Sequence, residues 1–299
     1  MRIRWTLLAL GLSFLPRPVA AQGTADQVLE PGLAANEAAL FHVAVEARRQ
    51  GDDRMAAVLL ERVVRLDPEA VLPRLEWAEA LLVLREPALV EALLLPVAER
   101  VAAESVTHPR AAARFFRLRG TAAARLGRGA DALDLYERAI EFSPTDLGLR
   151  SLVVSMYRAR GDRAAAAGHL VAAAALRPDD PDLRIEAGRA LLGVDRFDEA
   201  ELEFRDALRI DLWAVRAWQG LGESLAGQER WGDAEEVYRG GIQLAPESVQ
   251  LHELLGDALL AAGRTKEAVV WYTRASALPG ADALALERKI EQARARLGP

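Results

Sequence analysis

Apolar and small residues recur along this chain at an interval of 34 positions, in a pattern with the period of a helix. When Val215 is counted as position 1 of a unit, position 20 is always alanine: Ala132, Ala166, Ala200, Ala234 and Ala268. Position 24 is large and apolar: Tyr136, Leu170, Phe204, Tyr238 and Tyr272. The pattern predicts a repeated hairpin of two helices, helix A and helix B, joined by a turn.

Small residues mark the places where the two helices of a hairpin should cross. Position 8 reads Gly120, Val154, Gly188, Gly222 and Gly256, and position 27 reads Ala139, Ala173, Ala207, Gly241 and Ala275. A longer side chain there would push the backbones apart, so we expect Gly222 of helix A to touch Ala234 of helix B. The large residue at position 24 is expected to fill the space between hairpins. Pro144, Pro178 and Pro246 should end helix B.

Five in-phase copies of this pattern, from 113 to 282, closely resemble the tetratricopeptide repeat, with another helical repeat as the alternative. The resemblance implies an all-α fold, a right-handed α-solenoid of stacked helix-turn-helix hairpins. It also implies a concave groove, lined mainly by helix A, that binds a protein partner. The resemblance does not identify that partner.

About seven repeats are predicted over residues 37–282. Their ranges are 37–70, 71–112, 113–146, 147–180, 181–214, 215–248 and 249–282. The second repeat is irregular because it is eight residues longer than the others, and Pro96 should kink a long helix from about Ala88 to Glu104. This irregular unit is either a geometric adjustment or a place where a partner docks.

Residues 283–299 are predicted to form a capping helix that covers the apolar end of the last hairpin. Its apolar stripe is Leu284, Leu286, Ile290, Ala293 and Leu297. Charged residues, Lys289 among them, are expected largely on the other side of this helix.

The first 21 residues resemble a secretory signal peptide, with two early arginines, an apolar run over 5–15 and the small residues Val19-Ala20-Ala21 before a cleavage site. An uncleaved anchor helix is the alternative, although two prolines end the apolar run early. Residues 22–36 are predicted to be a flexible leader. We therefore expect the protein to be exported to the periplasm, with no membrane span in the mature chain.

Composition narrows the function further. The chain has no cysteine, so a disulfide and a lipoprotein anchor are both excluded, and core packing alone must hold the fold. The hydrophobic content of 51% is enough to bury a continuous stack. A formal net charge of −6 argues against nonspecific binding of nucleic acid.

No catalytic, cofactor-binding or metal-binding residues are predicted, and the chain is not expected to be an enzyme. Its four histidines, His42, His108, His169 and His252, lie in different repeats or junctions without partners at ligand spacing. Asp179, Asp180 and Asp182 lack the ligand series of a calcium loop and are better read as a helix cap before Leu183. Gly220-Leu221-Gly222 lies within a helix, where it cannot cradle a phosphate.

The predicted groove is basic in its middle and acidic at its C-terminal end. Helix A positions 2, 5, 9, 12 and 13, which line the groove in this family, include Arg48, Arg49, Arg114, Arg117, Arg125, Arg158, Arg189 and Arg216, and later Glu223, Glu253 and Asp257. Six of these arginines are the candidate partner-binding residues: Arg114, Arg117, Arg125, Arg158, Arg189 and Arg216. They are either a solvated face or a site for carboxylates or phosphates, and repeats three to five offer no acid on that face. The family's carboxylate clamp is absent, since Asn36 is the only asparagine.

Two functions from different classes are compatible with these features. The leading hypothesis is a periplasmic scaffold that binds an acidic segment of another envelope protein, in pilus, exopolysaccharide or outer-membrane assembly. The alternative is a chaperone-like carrier that transiently holds unfolded exported chains. A scaffold should bind one partner tightly and saturably, whereas a carrier should bind many partners weakly.

Overall fold

The computed structural model describes residues 37–297, in which the regular elements are all helices. The predicted all-α fold is therefore confirmed over this range. The predictions for the signal peptide at 1–21, the leader at 22–36 and the last two residues of the capping segment lie outside the described residues. Contacts between Cα atoms divide the chain into two compact units, the first ending at Pro144 and the second beginning at Thr145.

The first unit is built from helical hairpins. Its elements are α1 (Glu37–Arg49), α2 (Asp53–Leu66), α3 (Val71–Val83), α4 (Pro87–Leu94), a 3₁₀ helix (Leu95–Val97), α5 (Ala98–Ala103), α6 (Pro109–Arg125) and α7 (Gly129–Phe142). Helix α1 packs against α2, α3 against α4, and α6 against α7. In each of these pairs the first member is helix A and the second is helix B.

The second unit repeats the hairpin more regularly. Its helices are α8 (Leu147–Arg160), α9 (Arg163–Leu176), α10 (Pro181–Leu192), α11 (Phe197–Ile210), α12 (Val215–Gly227), α13 (Trp231–Leu244), α14 (Val249–Ala261), α15 (Thr265–Ser276) and α16 (Ala283–Leu297). The helices A begin 34 residues apart, at Leu147, Pro181, Val215 and Val249. Successive helices A also touch, α10 with α12 and α12 with α14, so their side chains share one face of the unit.

Short polar side chains start several of these helices. Asp146 accepts a hydrogen bond from the backbone N–H of Leu149, and Asp180 accepts one from Leu183, which satisfies amides that have no partner inside the helix. Asp180 is thus the helix cap that the sequence predicted. Helix α8 ends at Gly161, whose φ of 78° is a left-handed conformation that favours glycine.

The second repeat contains a broken helix. In place of the single kinked helix expected from Ala88 to Glu104, the chain forms α4, the 3₁₀ turn and α5. The break falls at Pro96, which has no backbone N–H to donate to the preceding turn and whose ring crowds that turn. The predicted helix is thus present over nearly the predicted extent, but Pro96 interrupts it with a 3₁₀ turn rather than only kinking it.

The glycine at position 8 packs against the aromatic ring at position 24 of its own hairpin. A Cβ atom placed on Gly222 would lie 2.2 Å from Cε1 of Tyr238, and one on Gly256 would lie 2.5 Å from the corresponding atom of Tyr272. The same close approach joins Gly120 to Tyr136 at 2.8 Å. The nearest neighbour of Gly222 is therefore the Tyr238 ring rather than the predicted Ala234.

One hairpin of the second unit uses a different pair at the same two positions. In α8 and α9 the residues are Val154 and Leu170, which belong to one buried cluster. A larger residue at position 8 is thus accompanied by a smaller one at position 24. The two positions share one volume, as close-packed interiors require.

Helix α16 packs on α15 and buries Leu286, Ile290 and Ala293. Leu284 and Leu297, which were also expected in its apolar stripe, are exposed instead because they lie at the two ends of the helix. Within residues 37–297, the helices are all too short or too polar to cross a membrane.

Candidate functional site

The six arginines predicted to bind a partner all lie on helices A. Arg114, Arg117 and Arg125 are on α6 in the first unit. Arg158, Arg189 and Arg216 are on α8, α10 and α12 in the second unit. These two groups differ in how the protein itself holds them.

In the first unit, Arg114 is part of an ion-pair cluster with two glutamates of α3. Its Nη1 lies 2.7 Å from Oε1 of Glu76, and its Nε lies 2.7 Å from Oε1 of Glu79. Arg48 of α1 contacts the same two carboxylates, with its Nη2 2.8 Å from Oε2 of Glu79. Arg117 reaches Glu79 through one nitrogen at 3.3 Å. We call these five residues the α3 ion-pair cluster.

The cluster stabilises the charged form of its central acid. Burial alone would raise the pKa of Glu79, but hydrogen bonds and charge from Arg114 and Arg48 outweigh it and hold that pKa below its usual value. Burial likewise opposes the charge on Arg114, and the two glutamates outweigh it, so the pKa of Arg114 is raised. The Arg114 side chain is only 21% exposed. Arg114 therefore acts within the fold, and few of its donors face solvent.

Arg125 is exposed on the first unit but also makes a contact within the fold. Its Nη1 donates a hydrogen bond to the carbonyl oxygen of Leu82, near the end of α3. This bond ties the last turn of α6 to α3. Arg125 thus differs from the candidate arginines of the second unit in donating to a backbone carbonyl of a neighbouring helix.

Two candidate arginines of the second unit, Arg158 and Arg216, each have one solvent-exposed partner. Nη2 of Arg158 lies 2.9 Å from Oε1 of Glu186, and the two side chains are 51% and 46% exposed. Arg216 forms an exposed ion pair with Asp182. Exposed pairs of this kind contribute about 0–1 kcal/mol, so a competing carboxylate displaces them at little cost.

Arg189 lies near a half-buried acid of the next helix A. Burial raises the pKa of Glu223, and the charge of Arg189 opposes that rise without cancelling it. Arg189 itself is exposed. Like Arg158 and Arg216, it is available on the surface of the second unit.

The expectation that repeats three to five offer no acid on this face was therefore wrong, because Asp182 of repeat five pairs there with Arg216. Glu79 belongs to repeat two, outside that range. When Val71 and Pro181 are counted as position 1, Glu79 occupies position 9 and Asp182 occupies position 2, both of which are groove positions readable from the sequence. Glu76 and Glu186 occupy position 6, outside the family's groove set. Helices A pack side by side, so a long arginine side chain reaches acids on the neighbouring helix.

The acidic end of the face is filled by a residue expected elsewhere. Nζ of Lys289, on α16, lies 2.8 Å from Oε1 of Glu253 and 2.8 Å from Oδ1 of Asp257. The hydroxyl of Tyr272 donates a hydrogen bond of 2.7 Å to Asp257. Lys289 was predicted to lie, with the other charged residues of α16, on the side away from the apolar stripe. Its long side chain instead extends to the acids of α14. Helix α16, which covers the last hairpin, thus also supplies a positive charge to the acids Glu253 and Asp257 of that hairpin.

Among the described residues, no group of three or more His, Asp or Glu side chains is placed to hold a metal ion. His252 is buried, with its Nδ1 2.9 Å from the carbonyl oxygen of Ser248 and its ring beside Trp271. Its contacts are those of a packed core residue.

Comparison with known proteins agrees with this architecture. A tetratricopeptide repeat family model matches residues 75–146 and 220–283. The structure of Naa15/Naa10 bound to HypK-THB aligns with a TM-score of 0.63 at 14% identity, covering 79% of this chain and 36% of that one. A MamA crystal structure aligns at 18% identity with a TM-score of 0.45, covering 60% of this chain and 94% of that one. Curated proteins gave no match.

YrrB, described as a tetratricopeptide protein with an unusual peptide-binding site, aligns at 19% identity and a TM-score of 0.43, covering 64% of this chain and 95% of that one. Hairpins of paired helices, stacked so that successive helices A share a face, define an α-solenoid. The chain therefore contains tetratricopeptide repeats, matched at 75–146 and 220–283, in a fold that serves as a protein-interaction scaffold.

Proposed function

We propose that this protein is an exported scaffold that binds an acidic segment of another envelope protein on the helix A face of its second unit. The proposal modifies the sequence-based hypothesis in one respect. Of the six candidate arginines, Arg114 and Arg125 hold the first unit together, and Arg117 shares a carboxylate of the α3 ion-pair cluster. The binding residues proposed are Arg158, Arg189 and Arg216.

One observation carries this choice. The Arg158 guanidinium and its partner Glu186 are both about half exposed, and Arg158 uses a single nitrogen on that acid. Arg117 is similarly exposed, but its partner Glu79 is only 22% exposed and is also bound by two other arginines. Arg216 is similarly exposed beside Asp182. A guanidinium binds a carboxylate best through two parallel hydrogen bonds, which these arginines can offer to a partner.

Exchanging charge on this face should weaken binding. A partner recovered by pull-down of the protein from a periplasmic extract, and identified by mass spectrometry, is the ligand for the measurement. Arg158→Glu/Arg216→Glu should lower its affinity at least about tenfold, because charge-assisted hydrogen bonds contribute about 1.5–3 kcal/mol each. Wild-type affinity should also fall as salt rises, since exposed charges are screened over about 8–10 Å.

The matched control is Arg205→Glu/Arg209→Glu, which makes the same charge change on helix B of the same unit. These arginines are also exposed, and each pairs with an acid of its own helix, Arg205 with Glu201 and Arg209 with Asp206. The control should bind as the wild type does. Equal affinity in all three proteins would show that the helix A arginines are only a solvated face.

The chaperone-like carrier is the competing outcome of the same pull-down. Recovery of one partner that binds saturably supports a scaffold. Recovery of many unrelated chains, each binding weakly and without dependence on Arg158 and Arg216, supports the carrier. The identity of a single partner would also distinguish pilus, exopolysaccharide and outer-membrane assembly.

Export is proposed from the first 21 residues. We expect cleavage after Ala21, so that the protein recovered from the native cell begins at Gln22. N-terminal sequencing of the protein from periplasmic and membrane fractions checks this. An intact N-terminus in the membrane fraction would favour the anchor helix instead.

A further inference from the structure

The irregular hairpin of the first unit contains an open apolar cavity of about 650 Å³. Its walls come from the first turns of α3 and α6 and from the end of α5. The principal apolar lining residues are Val71, Leu72, Leu75, Val101, Pro109 and Ala112. We call this space the α3–α6 cavity. Its size is that of a site for several side chains or a small ligand.

The cavity coincides with the place where the repeat departs from its regular length. A regular hairpin has one continuous helix B, whereas here it is divided at Pro96 into α4, the 3₁₀ turn and α5. The additional residues form the loop 104–108 between α5 and α6. Leu72 on the cavity wall is 50% exposed. Apolar surface gathered in a concavity is unfavourable in water and typically marks an interaction site.

Charge at the mouth of the cavity is unbalanced. Glu104 is already bound by Arg100, with Nε of Arg100 2.9 Å from its Oε1, and Arg114 is held by the α3 ion-pair cluster. Arg110 is exposed, and its side chain has no ion pair or hydrogen bond to the rest of the described chain. The charge left to a ligand is therefore positive, beside an apolar space.

We propose that the α3–α6 cavity is a second docking site, for a partner peptide segment that inserts two apolar side chains and places a carboxylate on Arg110. This inference rests on the proposed role as a protein-binding scaffold, but it uses a different unit and different residues. It also assigns the irregular hairpin to docking rather than to geometric adjustment alone.

The test is selection of peptides from a displayed library of random 12-residue sequences on the purified full chain. Enriched peptides should share two apolar residues with an Asp or Glu within about one helical turn of them. Synthetic versions should bind wild type and lose at least tenfold in affinity to Leu72→Glu and to Arg110→Glu. Leu66→Glu, a 52% exposed leucine of α2 that is absent from the cavity lining, is the matched control and should bind normally.

Several results would overturn the inference. They are failure to enrich any peptide, enrichment of basic peptides, or equal binding by Leu72→Glu and wild type. A photo-crosslinking residue at position 72, used in the purified protein without peptide, tests whether the chain itself occupies the cavity. Crosslinks to its own N-terminal segment or to a second copy would show that the chain itself fills the cavity. Thermal melting of each variant confirms that it is folded.

The outcome is separable from that of the first proposal. If a recovered envelope partner depends on Arg158 and Arg216 but no peptide depends on Leu72 and Arg110, only the cavity inference fails. If peptides bind the cavity but no partner depends on the second unit, only the choice of the arginine face fails. Absence of saturable binding at either place would refute the scaffold itself.

Discussion

Gly222→Val is expected to lower the free energy of unfolding by roughly 2–3 kcal/mol, near the upper end of the cost of overpacking a core. The new Cβ would lie 2.2 Å from the Tyr238 ring, well inside van der Waals contact. Tyr238 is buried, so its ring has no open space into which it can turn. The backbones of α12 and α13 must therefore separate. Urea denaturation followed by circular dichroism measures the loss.

The second substitution Tyr238→Leu should recover part of this loss. The Val154 and Leu170 pair shows that this fold accommodates valine at position 8 when position 24 is smaller than an aromatic ring. Residues in direct contact have coupling energies of about 0.5–3 kcal/mol, so the double mutant should be more stable than the sum of the single changes predicts. Strict additivity would contradict the idea that the two positions share one volume.

Gly232→Val is the control in the same hairpin. A Cβ at this exposed position in the first turn of α13 meets no other atom within 4 Å. The change should alter stability by no more than about 0.5 kcal/mol. A large loss of stability in Gly232→Val would indicate that the effect at Gly222 comes from helix propensity rather than from packing.

Glu79→Gln should destabilise the first unit by roughly 2 kcal/mol. The substitution removes the charge that three arginines share. It leaves Arg114 with Glu76 alone, and Arg48 with Glu76 and Asp53. Breaking a fully buried ion pair costs about 3–5 kcal/mol and an exposed one about 0–1. The side chains of this cluster are about one-fifth exposed, so an intermediate cost is expected. Denaturant titration at neutral pH gives the value.

The same variant has a predictable pH dependence. Because the pKa of Glu79 is lower in the folded protein than in the unfolded chain, its stabilising contribution is complete above the unfolded pKa. That contribution is lost as the pH falls through the lower, folded pKa. The stability difference between wild type and Glu79→Gln should therefore shrink on acidification. A difference that stays constant down to strongly acidic pH would show that the charge of Glu79 is not responsible.

Glu186→Gln provides the matched control for Glu79. It removes an acid from an arginine on the same kind of helix, but the pair with Arg158 is about half exposed. Its expected cost is below about 1 kcal/mol and should decline further in high salt. Equal losses at both glutamates would contradict the distinction between arginines that hold the fold and arginines that face solvent.

The hairpins could be predicted from the sequence because their packing repeats every 34 residues. Any single repeat is weak evidence, but Gly222, Tyr238 and their counterparts must satisfy the same helix crossing in each copy, which makes the period visible. The prediction of a tetratricopeptide fold is confirmed by the matching repeats and by the helical hairpins of the structure. The sequence showed that Pro96 would disturb helix B, but it did not show whether the helix would kink or break. The two outcomes differ in how the neighbouring turns recover their hydrogen bonds.

The ion pairs were less predictable for a physical reason. Arginine and lysine side chains are long enough to reach acids on the next helix, so their partners depend on helix spacing and rotamers rather than on a fixed position. Glu79 lies on a predicted groove position, but its pairing with Arg48 and Arg114 joins three separate hairpins. Lys289 similarly leaves the face that the helical period assigns to it.

The contact between Phe204 and Gly220 limits which pieces of this chain can be exchanged. The glycine and aromatic pairs at positions 8 and 24 are each contained in one hairpin, so a duplicated or transplanted hairpin brings its own complementary shapes with it. Phe204 also occupies the space at Gly220 of the following hairpin, where an added Cβ would lie 2.1 Å from its ring. Residues 181–214 and 215–248 should therefore be exchanged together. In a recombinant that joins 181–214 to a different hairpin, that hairpin would need a glycine at the position equivalent to Gly220.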